Sequence, residues 1–524
     1  MGISSKLADF FTTTRRISMG LAALKFIRAA LTIYSVILSA KYFGASLDRD
    51  NWVLAGSVIT ILTQMMFGPI NEIFRTKFIH IKADEGENKA LAATSSLIYG
   101  VIIFALLVIV LFEMFPQVLS SLFAPGFKGA EREALALMIR WMMPLLLLNE
   151  VTLLWIAVLN AYHSYFIPDI YSLVSLVINV ACILILVPYI GIYSLIVANY
   201  IGTSILLVIL VSAVMKANRG ILCWTRPSWI LISPFIMTSF PFYLSYIAGN
   251  VQMTLERMLS TFLGVGNVSV LDYSRKFIDM PVSVIVGVIT TVLAPALAEF
   301  FVGSRFEELH REVIKFMRML IMGMIPFIVL LAVCSRELVE LLLVRGSFKR
   351  EFLEVTAQSL SIFSFGAVGY IIYAVGAQSM IAQNRAAIYA VVGTLAMMLS
   401  IAMNLSLFNV IGLTVFPLSW GLPLFLSGLY MVFYQTAQKA DLLKELSKML
   451  GLLVLTAVVG YVARQCSLHF LFSGVTEVKR HDFLVVLATA LIGNSIYLCT
   501  MYLLNVEEIQ GIKRFIARKT NVHI

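Results

Sequence analysis

The sequence predicts an all-α membrane protein that crosses the bilayer many times. Of the 524 residues, 60% are hydrophobic and only 13% are charged, whereas soluble domains are usually about 45–50% apolar. The apolar residues form long runs, and about 20 of them in succession are enough for one transmembrane helix. Backbone groups in lipid must be paired within helices or within a closed barrel. Runs of this length exclude the barrel.

Apolar runs that end at charged residues, Gly or Pro predict fourteen helices. They lie at residues 22–43, 51–74, 91–114, 136–160, 165–188, 191–215, 233–263, 269–300, 314–344, 356–383, 386–408, 412–436, 446–464 and 482–505. In this arrangement Lys and Arg concentrate on the side of the N terminus. The positive-inside rule therefore predicts a multi-pass membrane protein with both termini inside.

Three short motifs recur about 220 residues later in the chain. The pairs are KYFGAS and TFLGVG, APGFK and VRGSFK, and PYIGIYS and NVIGLTV, which contain Gly44 and Gly264, Gly126 and Gly346, and Gly191 and Gly412. Six helices in each repeat is an even number, so both repeats have the same orientation in the membrane. We predict an N-terminal lobe at 1–220, a C-terminal lobe at 221–440, and two additional helices with a basic tail at 441–524.

Composition argues against several functional classes. The net charge is +10, but Lys and Arg lie mostly in short loops, as the positive-inside rule explains without a nucleic-acid partner. The five cysteines form no C-x-x-C pair and the six histidines have no metal-ligand spacing. No phosphate-binding loop and no nucleophile elbow occurs. We expect a transporter rather than an enzyme, without metal or cofactor.

Polar residues line single faces of several predicted helices. In the first helix they are spaced alternately three and four residues apart, at Lys25, Arg28, Thr32, Ser35 and Ser39. Such spacing places side chains on one face, and that face should avoid lipid. The seventh and eighth helices add Glu256, Arg257 and Arg275. We expect these faces to line a central cavity.

Each of these charges also has a structural interpretation. A charge within the bilayer is costly unless it is paired or hydrated, so Glu256 and Arg257 are either cavity residues or an ion pair. Lys25 and Arg28 either line the cavity or extend to the membrane interface. Glu150, beside Asn149, has either a hydrogen-bonded packing role or a proton-linked role.

Two similar segments each combine a proline with a glutamate. GPINEIFRTK contains Pro69 and Glu72, and APALAEFF contains Pro295 and Glu299. We predict that both glutamates lie at cytoplasmic helix ends and form a gate. Their predicted partners are Arg75 or Lys77 for Glu72, and Arg305 for Glu299. The alternative is an ordinary charged helix end.

Several stretches, in order, resemble the MviN/MurJ family of lipid II flippases. They are YFGAS, APGF, LLWIAVLNAYHSYFIPDIYSLVSLVINVACIL, LERMLSTFLGVGNVSVLDYSRKFIDMPVSVIVGVITTVLAPALAEFF and VRGSF. The family belongs to the multidrug/oligosaccharidyl-lipid/polysaccharide exporter superfamily. The resemblance implies two six-helix lobes and two C-terminal helices that border a groove for the lipid tail. It also implies a location in the bacterial cytoplasmic (inner) membrane and a polyprenyl-pyrophosphate-linked glycan as substrate. We expect a monomer, and any coupling ion is left open.

The same resemblance assigns roles to individual residues. Arg257 matches an arginine that lines the family's cationic cavity, with Glu256 where many members have Asp. Arg275, in DYSRK, matches another arginine, and Asp50 matches the aspartate that opens the second helix.

One departure concerns the first helix, where Ser35 and Val36 replace an Arg-Asp pair. The substrate is therefore either lipid II or a related lipid-linked oligosaccharide. A drug or organic cation antiporter of the superfamily and a non-transporting scaffold are the alternatives. An anionic substrate is favoured by the excess of positive over negative groups, namely Lys25, Arg28, Arg257 and Arg275 against Glu150 and Glu256.

Overall fold

The computed structural model describes residues 27–162, 166–217, 227–240, 243–436, 439–471 and 478–503. Every regular element within these ranges is a helix, which confirms the all-α prediction. The chain forms two compact units, Met1–Ser269 and Val270–Ile524. The predicted division at residues 220 and 440 stays a prediction.

The first unit contains eleven helices within its described residues. They are α1 (27–43), α2 (Leu47–Met66), α3 (Gly68–Glu85), α4 (Glu87–Met114), α5 (Pro116–Phe123), α6 (Ala130–Met142), α7 (Leu145–Ala161), α8 (Phe166–Ile190), α9 (Tyr193–Ala217), α10 (Trp229–Ser239) and α11 (Tyr243–Ser260). Its apolar core includes residues from α2, α6, α7 and α9.

The second unit follows directly. Its helices are α12 (Asn267–Val288), which begins at the boundary, α13 (Ala294–Val302), α14 (Phe306–Val333), α15 (Ser335–Leu342), α16 (Leu353–Ala382), α17 (Ala386–Ile411), α18 (Val415–Gln435), α19 (Lys439–Cys466) and α20 (Val478–Leu503). Its core includes residues from α14, α16 and α19.

Eight helical stretches among the described residues are long and apolar enough to cross a membrane. A ninth results if α6 and α7 are counted as one span bent by 41°. Pro144 lies at this bend, where its missing N–H interrupts the helical hydrogen bonds. The predicted count of fourteen spans exceeds this number and stays a prediction.

Besides the bent pair α6 and α7, several predicted helices are interrupted. The segment at 51–74 is divided at Phe67 into α2 and α3, directly before Pro69, and α3 then continues to Glu85. The segment at 269–300 has a π-helical turn at Ile289–Leu293, directly before Pro295. The segment at 233–263 is divided between α10 and α11. In the first two cases the proline removes a hydrogen-bond donor from the helix.

Glycine explains two further features of the sequence. Gly191 and Gly412, from one repeated motif, have φ of 55° and 58°, in the region that residues with a Cβ rarely adopt. Both follow a long helix and turn the chain into the next one. In the second unit, α16 and α18 approach so closely that a Cβ on Gly421 would lie 2.5 Å from the Cα of Gly366. Small residues allow such close packing of membrane helices.

Candidate functional site

Arg257 joins α11 to α2 in the first unit. Its Nη1 donates to Ser57 Oγ at 2.5 Å, and Ser57 in turn donates to the carbonyl of Val53 at 2.8 Å. Ser57 is buried, whereas Arg257 is half-buried. An arginine is charged at any physiological pH, so this contact holds a permanent positive charge at a defined place beside α2.

Glu256 has a different environment from its neighbour Arg257. Its side chain is fully buried, and Oε1 accepts from Gln252 Nε2 at 3.3 Å, one turn earlier on α11. A fully buried carboxylate does not contact a large headgroup. Glu256 was expected to line an open cavity, but in this conformation its side chain is buried within the protein.

Asp50 is also fully buried, and its carboxylate holds the segment that follows α11. Oδ2 accepts from the backbone N–H of Gly266 at 2.5 Å, and Oδ1 accepts from the N–H and hydroxyl of Ser269 at 2.7 and 2.5 Å. Charge-assisted hydrogen bonds of this kind are about twice as strong as neutral ones. We reassign Asp50 from the cavity to this anchoring position, because all of its contacts are within the protein.

A second contact in the same region explains the motif APGF. The backbone N–H of Gly126 donates to Thr261 Oγ1 at 3.0 Å. A Cβ at Gly126 would lie 2.5 Å from the carbonyl carbon of Thr261, so a larger residue would separate these segments. Together with Asp50, this contact fixes the C-terminal end of α11, on which Arg257 lies.

Arg275 is the corresponding charged side chain of the second unit. It is half-buried on α12, and its Cζ lies 5.7 Å from the ring centroid of Phe363 and 5.8 Å from that of Trp420. Cation–π contacts at such distances contribute about 0.5–2 kcal/mol each. The aromatic rings of Phe363 and Trp420 thus help to position the guanidinium group of Arg275.

Arg75 borders a polar cavity of about 340 Å³ within the first unit. The cavity lies between α2, α3 and α7, and its polar lining residues are Gln64, Asn71, Arg75 and Asn160. Arg75 itself is exposed. The predicted gate residue therefore lies on a polar cavity of its own unit.

The predicted residues of the first helix are only partly described. Arg28 is exposed and Ser35 is half-buried on α1, whereas Lys25 lies outside the described residues. The Arg28 carbonyl accepts from the Thr32 hydroxyl at 2.8 Å, so the polar stripe of α1 begins with a local backbone contact.

Of the two predicted gate glutamates, the structure describes the side chain of Glu299 only. The side chain of Glu72 lies outside the described part of the structure. Glu299 is 80% exposed, and its Oε1 lies 3.6 Å from Arg305 Nη2. Arg305 also approaches Glu308 Oε2 at 3.5 Å and lies over the Phe300 ring at 4.7 Å. The predicted partner of Glu299 is thus correctly identified, while its role as a gate stays a prediction.

Two apolar grooves lie within the second unit. One, of about 670 Å³, is bordered by α17 and α18 and includes Tyr430 and Tyr434. The other, of about 240 Å³, lies between α16, α18 and α19 and is bordered by Phe425, Leu450 and Leu453. Their size and apolar lining fit an alkyl chain.

Three partners of the predicted arginines were missed in the sequence. Thr60 and Gln64 form a polar stripe on α2, and Ser57 lies one turn earlier on the same face, so its spacing was a usable signal. Phe363 and Trp420 follow Arg275 by about 90 and 145 residues, and nothing in their local sequence distinguishes them from other apolar residues.

A family model of the lipid II flippase MurJ matches residues 39–481 of the chain. The chain belongs to the MurJ family. This match covers most of both compact units and all of the described site residues except Arg28 and Ser35. It agrees with the motifs that carried the family resemblance.

Relatives in other bacteria are distant from this MurJ-family protein. A probable lipid II flippase MurJ of Buchnera aphidicola subsp. Acyrthosiphon pisum is 22% identical over 353 residues, which is 64% of this chain and 66% of that protein. One of Thermotoga maritima is 24% identical over 335 residues, which is 63% of this chain and 66% of that protein. The chain thus spans about two thirds of the length of these curated relatives.

Solved structures show the same fold. A structure of lipid II flippase MurJ in an inward closed conformation has a TM-score of 0.73 at 18% identity, and the match covers 92% of this chain and 100% of that one. An inward-facing multidrug resistance MATE family transporter has a TM-score of 0.64 at 13% identity, covering 81% and 99%. The fold is therefore that of MurJ, with a lower similarity to the MATE transporters.

Proposed function

We propose that this MurJ-family protein translocates a polyprenyl-pyrophosphate-linked glycan precursor, lipid II or a related lipid-linked oligosaccharide, across the cytoplasmic membrane. The observation that carries this proposal is the half-buried guanidinium of Arg257, held by Ser57. Moving a diphosphate and a sugar headgroup through hydrocarbon without polar contacts would be prohibitive. Arginines bind phosphate oxygens by charge-assisted, often bidentate hydrogen bonds.

The charges of the candidate site residues support an anionic substrate. Arg257 and Arg275 are half-buried cations, while Asp50 and Glu256 are fully buried and contribute no exposed negative charge. An organic cation antiporter would need the opposite arrangement. The apolar grooves of the second unit could hold the polyprenyl tail while the headgroup crosses the membrane.

We further propose a specific number of transmembrane spans and their arrangement in two lobes. Fourteen spans with both termini inside would place two six-helix lobes, 1–220 and 221–440, in one orientation, followed by two C-terminal helices at 441–524. Alternating access would be a rocking of one lobe against the other. The interruptions before Pro69 and Pro295 are natural bending points. We propose a monomer in the bacterial inner membrane.

The first experiment is depletion of the protein in its native host, followed by mass spectrometry of the extracted lipids. We expect a polyprenyl-pyrophosphate-linked glycan to accumulate on the cytoplasmic face and to disappear on re-expression. Lipid II together with lysis would identify peptidoglycan synthesis, and another glycolipid in viable cells would identify an exported polysaccharide. The absence of any accumulating lipid-linked glycan would contradict the proposal and favour the antiporter.

We also propose that Glu299 and Arg305 stabilise the closed cytoplasmic side, and that Glu72 and Arg75 do so in the other lobe. Exposed ion pairs contribute about 0–1 kcal/mol, which changes an equilibrium by up to about fivefold. Glu299→Arg should therefore slow transport in proteoliposomes by up to about fivefold, and the swap with Arg305→Glu should restore it. Unchanged transport in the single and double variants would disprove this gate.

A further inference from the structure

The larger apolar groove of the second unit lies between α17 and α18 and is open along its length. Its floor is formed by Val392 and Ala396 of α17, which are only 8% and 4% exposed. Its walls are large apolar side chains that stay exposed, among them Leu395 and Leu426 at 59% and 47%. Apolar surface of this kind is stabilised by contact with an alkyl chain.

The groove extends along α17 for about the thickness of one membrane leaflet. Its lining residues on this helix run from Ala387 to Leu399, which are twelve residues apart and therefore about 18 Å apart along the helix axis. One leaflet supplies about half of the hydrocarbon core, or about 15 Å. A phospholipid acyl chain has this length, whereas a polyprenyl tail is considerably longer. The groove thus fits an acyl chain that enters from one membrane surface.

A cation lies at one end of the groove. Arg385 directly precedes α17, is exposed, and its Cζ lies 5.6 Å from the ring centroid of Tyr434. Tyr434 stacks in turn on Tyr430, with ring centroids 6.0 Å apart, and both tyrosines line the groove. The charge of Arg385 also acts on His310 of α14, a second basic group. Among the residues that the structure describes, no carboxylate pairs with Arg385, so its charge is available to a ligand.

The turn that carries Arg385 is fixed to the end of α18. Asn384 has a φ of 58°, and the N–H of Arg385 donates to the carbonyl of Met380 at 2.9 Å, as in common motifs that close a helix. The buried side chain of Gln383 donates from Nε2 to Gln435 Oε1 at 2.6 Å. The backbone that carries Arg385 therefore has a defined place at the end of the groove.

An apolar groove with a cation at its end is complementary to a lipid with an anionic headgroup. A guanidinium binds phosphate oxygens by charge-assisted, often bidentate hydrogen bonds. Basic pockets between transmembrane helices bind anionic headgroups, and tyrosines such as Tyr430 and Tyr434 are enriched at the membrane interface. The single charge of Arg385 balances the one negative charge of phosphatidylglycerol, whereas a diphosphate carries more.

We propose that the groove between α17 and α18 binds the anionic phospholipid phosphatidylglycerol, with an acyl chain along Val392 and Ala396 and the phosphate at Arg385. This binding does not depend on the proposed flippase function. It leaves the smaller groove, between α16, α18 and α19, for the polyprenyl tail of the proposed substrate.

The test is native mass spectrometry of the purified, delipidated full-length protein. Phosphatidylglycerol, phosphatidylcholine with the same acyl chains, and undecaprenyl phosphate are added in separate titrations. We expect phosphatidylglycerol to bind at least about tenfold more tightly than the zwitterionic phosphatidylcholine. Arg385→Gln should remove this difference, because the neutral amide lacks the charge. Val391→Trp should weaken both phospholipids, because Val391 lines the groove and is 60% exposed, so the indole would fill it.

Two matched controls separate the site from general effects of charge and size. Arg480→Gln removes an exposed arginine of α20, and Leu405→Trp enlarges a side chain of α17 that is 56% exposed but lies outside the groove. Both variants should bind phosphatidylglycerol as the wild type does. If Arg385→Gln does not fold, Arg385→Met takes its place.

Three results would overturn the site. The first is equal binding of the two phospholipids by the wild type, and the second is a preference that survives the loss of the Arg385 charge. The third is tighter binding of undecaprenyl phosphate than of phosphatidylglycerol, weakened by Val391→Trp, which would assign the groove to the substrate's tail. None of these results changes the outcome of the lipid-accumulation experiment, which tests the flippase function separately.

Discussion

Arg257→Ala is expected to reduce transport at least tenfold while the amount of protein in the membrane stays normal. A hydrogen bond to a charged group contributes about 1.5–3 kcal/mol, and the loss of one such bond to the substrate's diphosphate corresponds to about 10- to 150-fold. The side chain is half-buried and donates to the Ser57 hydroxyl, a neutral group, and the loss of one such hydrogen bond costs the fold about 0.5–1.5 kcal/mol. Its removal should therefore affect transport more than folding.

The measurement is complementation of the depleted host, combined with quantification of the accumulated lipid-linked glycan and immunoblotting of membranes. Arg257→Lys should retain part of the activity, because lysine keeps the charge but cannot bind phosphate oxygens in a bidentate manner. Arg311→Ala is the matched control, since Arg311 is exposed on α14. Normal transport by Arg257→Ala would remove this residue from the site.

Much of the fold could be predicted from local features of the sequence. Apolar runs indicated helices, and Pro69 and Pro295 lie directly after two of the places where a predicted helix is interrupted. What the sequence did not specify was the form of the interruption, a turn at Phe67 in one case and a π-helical turn at Ile289–Leu293 in the other. That choice depends on how the neighbouring helices satisfy the released backbone groups, which no local pattern encodes.

The site was harder to predict because its partners are distant in the sequence. Arg257 and Ser57 are 200 residues apart, and Asp50 and Gly266 are 216 residues apart. The residue types were correctly recognised as unusual within the membrane. Whether a buried acid faces a cavity or anchors a turn depends on those distant partners. Asp50 was therefore expected on the cavity but is fully buried and bonded to Gly266 and Ser269, while Glu299 and its near neighbour Arg305 were paired correctly.

Arg464→Met is expected to destabilise the second unit strongly. Arg464 of α19 binds Glu337 of α15 in a bidentate manner, with Nε at 2.9 and 3.0 Å from the two carboxylate oxygens and Nη2 at 2.6 Å from Oε1. The side chain of Glu337 is only 1% exposed. Removing the arginine leaves this carboxylate buried without its charged partner, which typically costs about 3–5 kcal/mol. Thermal unfolding of the purified protein measures the loss.

The double variant Glu337→Met with Arg464→Met separates charge from packing. Replacement of a buried ion pair by apolar side chains is often neutral or stabilising, so the double variant should recover most of the lost stability. Arg480→Met is the control, because Arg480 is exposed on α20. If Arg464→Met unfolds at the wild-type temperature, the ion pair does not hold α19 against α15. If it is unstable and the double variant is equally so, the apolar contacts of the two side chains matter more than their charges. Recovery would show that Arg464→Met is unstable because it leaves a buried carboxylate without its charged partner, and that apolar side chains can hold α19 against α15 equally well.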